Sequence, residues 1–174
     1  TTGDHNTAIG QNALRTSLSG DHNFAAGRCA LYGNWGGNRN TAIGYYAMFE
    51  NTTGFDNTAI GCKALCSNTE GLYNIAIGNG ALRCNTTGSS NNALGNTALK
   101  ANTTGGNNTA MGSEALLANT TASDNTAIGR RALNKNITGC NNNAMGYYSL
   151  ACNISGHYNT AIGQCSLYSN WGGC

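Results

Sequence analysis

The chain is 174 residues long, with 28 Asn, 25 Gly, no Pro and a formal net charge of +2 from only 9% charged residues. Asn and Gly build turns well and helices poorly, which excludes a long helical domain, and 40% hydrophobic content excludes a solvated disordered chain. No basic run marks a nucleic-acid footprint and no 18-residue apolar span predicts membrane insertion; the start at Thr1, with no signal peptide legible, reads as a mature or excised segment.

The first element in the chain, Asn-Thr-Ala-Ile-Gly from Asn6, sets the pattern for everything after it. The same five residues return at Asn40, Asn57, Asn125 and Asn159, and variants stand at Asn23, Asn74, Asn91, Asn108 and Asn142, so every interval is 17 residues. A fixed period this short leaves no room for two packed helices per unit and marks a solenoid in which each repeat is one coil. The sequence therefore predicts a single all-β domain over 1–174, a parallel β-solenoid of ten 17-residue coils. At the inter-strand spacing of about 4.8 Å this is a rod of roughly 45–50 Å.

Counting repeat positions from Thr1, Asn at 6, Ala at 8 and Gly at 10 recur in every coil; 14 is Leu except Met48, 3 is Gly except Ala122, and 17 is Asn except Ser17. A short strand is expected over 6–10, a second extended segment over about 12–16, and an Asn-Thr-Thr-Gly turn carrying positive φ. In one repeat a large Phe24 at position 7 accompanies a small Ala26 at position 9. That volume swap suggests that 7, 9 and 14 share the interior, leaving a flat Asn-Ala-Gly face outside; the competing arrangement has the small residues filling a narrow core while Ile faces out. Stacked in register, the position-6 Asn residues form a ladder from coil to coil, and Pro is missing because it would remove a main-chain donor owed to the next coil.

The unit "NTAIGxxALxxNTTGxx" resembles the repeats of trimeric autotransporter adhesin heads and of related bacteriophage and giant-virus fibre proteins, which carry an "AIGxxA" core. The resemblance implies a left-handed parallel β-roll, three chains about a common axis, and binding to host matrix or other cells. This chain departs from those heads in its longer period and in its eight Cys.

Those cysteines occupy variable columns. Cys66 and Cys84 lie in adjacent coils, near the Cα separation a disulfide needs, whereas Cys140 and Cys174 share a column two coils apart and are out of reach of each other. Cys174 is then a candidate inter-subunit link, and so many Cys suggest an oxidising setting outside the cell or on a virion surface. No Cys-x-x-Cys pair occurs, so no metal site or cofactor is expected. His5 and His22 share a column beside Asp4 and Asp21, read as an exposed polar turn. Glycosylation sequons stand at Asn51, Asn85, Asn102, Asn107, Asn119, Asn136 and Asn153. Arg28 precedes Tyr45, Arg130 precedes Tyr147 and Arg131 precedes Tyr148 by one coil each, which predicts cation–π stacking along the rod and offers aromatic rows to glycans.

No nucleophile, base and orienter converge anywhere, so no enzyme is expected. The leading expectation is an extracellular structural rod that assembles with itself end to end, since a solenoid without caps exposes open edges. Ser19–Asn38 also resembles Ser155–Cys174, eight coils on, which points to a longer super-repeat or to matched subunit contacts. Alternatives are a homotrimeric adhesive head binding surface glycans or matrix, and an ice-binding solenoid, for which the position-7 Thr array is interrupted by Phe24, Ile75, Asn92 and Asn143.

Overall fold

The computed structural model describes residues 2–171. Each coil contributes one three-residue strand: β1 (Thr7–Ile9), β2 (Phe24–Ala26), β3 (Thr41–Ile43), β4 (Thr58–Ile60), β5 (Ile75–Ile77), β6 (Asn92–Leu94), β7 (Thr109–Met111), β8 (Thr126–Ile128), β9 (Asn143–Met145) and β10 (Thr160–Ile162). They pair in chain order in one parallel sheet, and the register is strict: Ala8 pairs Ala25, and Ile43 pairs Ile60. The chain is thus an all-β parallel β-solenoid. Its main-chain ladder continues beyond the strands. Thr58 N–H donates to the Asn74 carbonyl (2.8 Å), Leu65 N–H to Ala81 (2.9 Å), Thr69 N–H to Thr86 (3.0 Å) and Tyr73 N–H to Phe55 (3.2 Å). Donors on every side of the coil are committed to a neighbour, which is why Pro has no place here.

Positions 11–16 form successive turns, not the second extended segment expected from the sequence. Ala64 N–H returns to the Gly61 carbonyl (3.3 Å), and positions 12 and 14 take positive φ, as at Lys63 (54°) and Leu65 (49°). Bulky residues in the left-handed region cost about 1–2 kcal/mol each. Here the two left-handed residues turn the chain so that the position-14 Leu drops into the interior while both flanking peptides stay on the ladder. The Asn-Thr-Thr-Gly turn, where positive φ was expected, has none among the described residues. Its Gly serves a different need: a Cβ on Gly54 would lie 2.6 Å from the Gly71 carbonyl oxygen and the Asn68 amide nitrogen, so only hydrogen fits.

The core is narrow. Strand residues Ala42, Ala59 and Ala76 are fully buried, as are Ala64, Ala81 and Ala98 at position 13 and Leu65, Leu82 and Leu99 at position 14. Positions 7 and 9 face outward, so of the three positions assigned to the interior only 14 belongs there. The reason is width. Two Asn columns, at 6 and 17, also run through the interior, and the space between them admits a methyl group but not an Ile side chain. Phe24 is exposed and Ala26 half-buried, so their volume swap is an outer-surface event and not a core compensation. The position-6 Asn and position-8 Ala columns are interior packing and not a docking face, while the position-10 Gly column is half-buried at its edge.

Candidate functional surfaces

The two buried Asn columns are the internal frame. At position 6, Asn91 Nδ2 donates to Asn74 Oδ1 (3.2 Å) and to the Gly105 carbonyl (2.9 Å), while its Oδ1 accepts from Asn108 N–H (3.0 Å). The same pattern links Asn6, Asn23, Asn40, Asn57, Asn74, Asn91, Asn108, Asn125, Asn142 and Asn159 through main-chain N–H to side-chain oxygen bonds. At position 17, Asn68 Nδ2 donates to Asn51 Oδ1 (2.9 Å) and to the Gly71 carbonyl (3.0 Å). An amide carries two donors and an oxygen with two lone pairs, so it alone among small side chains can satisfy the coil before, the coil after and its own turn. No described buried side-chain N or O lacks a partner. The partner of the position-6 amide varies in the coil of Ala122, the one departure from Gly at position 3. Asn142 Nδ2 reaches the position-3 carbonyl of the next coil at Gly156 (2.8 Å), but Asn125 Nδ2 bonds the Ser123 carbonyl (3.1 Å) instead.

This frame decides the sequons. Asn51, Asn85, Asn102, Asn119, Asn136 and Asn153 are fully buried, and each Nδ2 donates to the preceding coil and to its own turn. The folded chain has no room for a sugar on any of them. Asn107 differs: it is exposed and donates to Asp124 Oδ1 (3.1 Å).

Outside, the sheet presents a flat face of two parallel rows. Position 7 supplies mostly Thr and position 9 supplies Ile, Leu or Met, with Ile77 38%, Met111 42% and Met145 41% exposed. The apolar row continues over all ten strands with a break only at Ala26. Sequence reasoning placed these residues inside. The signal that could have moved them is position 13, which is Ala in eight repeats and Ser in the other two and so declares a core of methyl width.

On the side following the strand, Arg28 lies over the Tyr45 ring (5.7 Å), Arg130 over Tyr147 (5.8 Å) and Arg131 over Tyr148 (5.4 Å), the three pairings read from the sequence. Tyr45 meets Tyr46 (4.5 Å), Tyr46 stacks on Phe49 (4.6 Å), and Phe49 on Tyr32 (5.0 Å). Arg131 also pairs with Glu114 (2.7 Å) and bonds the Tyr148 hydroxyl; the hydrogen bond to Arg131 holds the Glu114 carboxyl below its ordinary range. On the opposite side Arg39 pairs with Asp56 (2.7 Å) and does the same to that carboxyl. His5 and His22 stack at 4.8 Å beside the Asp4–Asp21 contact, in which Asp4 N–H donates to Asp21 Oδ1 (2.7 Å).

Cys66 and Cys84 are free thiols, as are the other described cysteines. Cys66 is half-buried, and burial pushes its thiol up, with Glu50 adding to the effect, while Cys84 is exposed. Cys174 lies outside the described residues. Among the described residues no helix is long and apolar enough to cross a membrane. Comparison with protein-family models, with curated proteins and with solved structures finds no match to the chain.

Proposed function

We propose that this chain is a non-enzymatic structural protein, a stiff rod segment of a fibre at a cell or virion surface, and that it associates with copies of itself through the Thr/Ile sheet face. The observation that carries the reading is the length of that face: an outward apolar row, broken only at Ala26, beside a row of mostly Thr, repeated at one spacing from β1 to β10. Exposed apolar patches of this extent mark interaction surfaces. A second copy is the partner that fits, because only another rod of this period presents side chains at the same about 4.8 Å spacing along the whole face. A strip about 45 Å long and about 10 Å wide gives roughly 900 Å² for two partners, near the lower limit of a specific interface, and a three-fold bundle in which each rod meets two neighbours buries more. The likeness of the repeat to trimeric adhesin heads supports the three-fold arrangement.

Light scattering coupled to size exclusion tests this directly. The expected mass is two or three times that of one chain, falling to one on Ile60→Glu with Met111→Glu, and a monomer at high concentration before any substitution refutes the reading.

End-to-end stacking has its own supporting observation. The first coil carries an open depression of about 220 Å³ lined by Gly3, Asn6, Ala8, Leu14, Arg15 and Ser17, and the Asn, Ala and Leu columns that line it are covered in the coils between the first and the last. A further coil, from a longer chain or from a second copy, fits there. Electron microscopy separates the two modes: end-to-end stacking gives filaments that survive Ile60→Glu with Met111→Glu, and lateral bundling gives particles that do not.

A further inference from the structure

We infer that the side of the rod formed by repeat positions 11 and 12 is a binding saddle for a short acidic oligosaccharide, held between Tyr45 and Arg130. Column 11 runs from Tyr45 through Cys62, Asn79, Asn96 and Ser113 to Arg130. The four intervening side chains are short, so the surface dips between two tall ends, five coil steps or about 24 Å apart. Both ends are one-sided. Arg28 covers Tyr45 from the preceding coil (5.7 Å), and Tyr147 flanks Arg130 from the following coil (5.8 Å). The coils between Tyr45 and Arg130, away from Arg28 and from Tyr147, therefore carry only short side chains in this column.

Each part of the saddle matches one feature of a sugar acid. The Tyr45 ring offers an apolar face to a pyranose ring, and its contact with Tyr46, itself stacked on Phe49, orders it in advance and lowers the entropic cost of binding. Asn79 and Asn96 are exposed on the floor and supply amide donors and acceptors suited to hydroxyl groups. Arg130 forms no ion pair among the described residues: it helps to hold the nearby Glu114 carboxyl down, but Glu114 pairs with Arg131, as Asp56 does with Arg39. The planar fork of donors on Arg130 is free for the two oxygens of a carboxylate. Single-stranded nucleic acid also uses aromatic rings and cations but needs a groove positive along its length. The adjoining column supplies Lys63, Glu114 and Arg131, the last two paired with each other, so the saddle suits one carboxylate and not a row of phosphates. This inference does not depend on how the rods associate.

The test titrates the full chain by calorimetry with tetragalacturonate, a hyaluronan tetrasaccharide and sialyllactose, using maltotetraose and a single-stranded oligothymidylate as comparison probes. At least one acidic saccharide is expected to bind more tightly than either comparison probe. Tyr45→Ala and Arg130→Gln are each expected to weaken it by about tenfold or more. Asn96→Trp should fill the floor and abolish binding with an unchanged unfolding temperature, while Tyr73→Ala, on the opposite side, should change nothing. Absence of binding by all three acidic saccharides at millimolar concentration, binding that survives Asn96→Trp, or tighter binding of the oligothymidylate overturns the inference. An oligomer mass that stays constant through these variants keeps the result separate from the association reading.

Discussion

Truncating one rung of the interior ladder tests what holds the coils together. Asn91→Ala removes a side chain with no exposed surface. Two of its former partners stay satisfied: the Gly105 carbonyl still accepts from Asn102 Nδ2 (2.9 Å), and Asn74 Oδ1 still accepts from the residue-91 N–H (3.0 Å). Two do not. Asn108 N–H loses its acceptor, and Asn108 Nδ2 keeps only its bond to the Ala122 carbonyl (2.9 Å). Each orphaned buried donor costs about 1–3 kcal/mol, so the expected loss is about 2–6 kcal/mol. Urea titration reads it as a fall in midpoint, and Asn79→Ala on the surface should stay within about 0.5 kcal/mol of the parent. Asn91→Asp adds a sign. The introduced carboxylate sets an oxygen against Asn74 Oδ1 and the Gly105 carbonyl, acceptor against acceptor, so burial and repulsion raise its folded pKa above the usual carboxylate value. The penalty is then greatest above that raised pKa and is relieved as pH falls through it. The gap to the parent protein should narrow between about pH 7 and about pH 4. A loss below about 0.5 kcal/mol for Asn91→Ala, or a gap for Asn91→Asp that does not move with pH, refutes the ladder as the source of cohesion.

The remaining predictions use the same assay. Ala76→Leu should overpack the methyl-wide core by about 1–3 kcal/mol or more, while Ile77→Leu on the outer row should change stability little; equal effects would refute the inward and outward assignment. Gly95→Ala should cost more than about 2 kcal/mol, because φ is +143° there and a Cβ would lie 2.5 Å from the Gly112 carbonyl oxygen. Glu114 is held below its ordinary range by Arg131, so its contribution is complete above the unfolded glutamate value and is lost as pH falls through the lowered one; Glu114→Gln should flatten that acid limb, and an unchanged profile would show the pair to be inert.

The repeat length, the strand position, the parallel stacking and the Asn ladder were all legible in the sequence, because each rests on a rule that acts within a column. A period of 17 fixes the coil, Thr-Ala-Ile fixes the strand, and identical amides stacked in register fix the ladder. What was not legible depends on relations between columns. Alternation along a strand says that Ala59 and Ile60 point to opposite sides but not which side is inside. That choice is made by the cross-section, where Asn57, Asn68, Ala64 and Leu65 already fill the available width. The turn at positions 11–16 was missed for a related reason: Leu and Lys are poor predictors of positive φ, and Leu65 and Lys63 adopt it only because the ladder and the core both require it. The Arg–Tyr contacts were legible because they lie within single columns, and so were the sequons as motifs. Burial of the sequons was not.

That burial sets a condition on where the chain can be made. Glycosylation of a nascent chain precedes folding, and a sugar at Asn85 or Asn102 would occupy the place of an amide that must donate both to the coil before it and to its own turn. Modification and folding exclude each other at six of the seven sequons, and only exposed Asn107 admits both. In a glycosylating secretory host the folded, soluble fraction should therefore carry either no N-linked sugar or one at Asn107, and the multiply modified fraction should be misfolded. Replacing the Thr two residues after Asn51, Asn85, Asn102, Asn119 and Asn136 with Val, at Thr53, Thr87, Thr104, Thr121 and Thr138, removes five of the six buried sequons while leaving the Asn ladders intact, and should raise the folded yield in that host but not in bacteria. Mass spectrometry of the folded fraction decides the matter. A folded chain with a sugar at any of the buried positions would show that the position-17 amides are dispensable, and with them the second of the two ladders that close the coil.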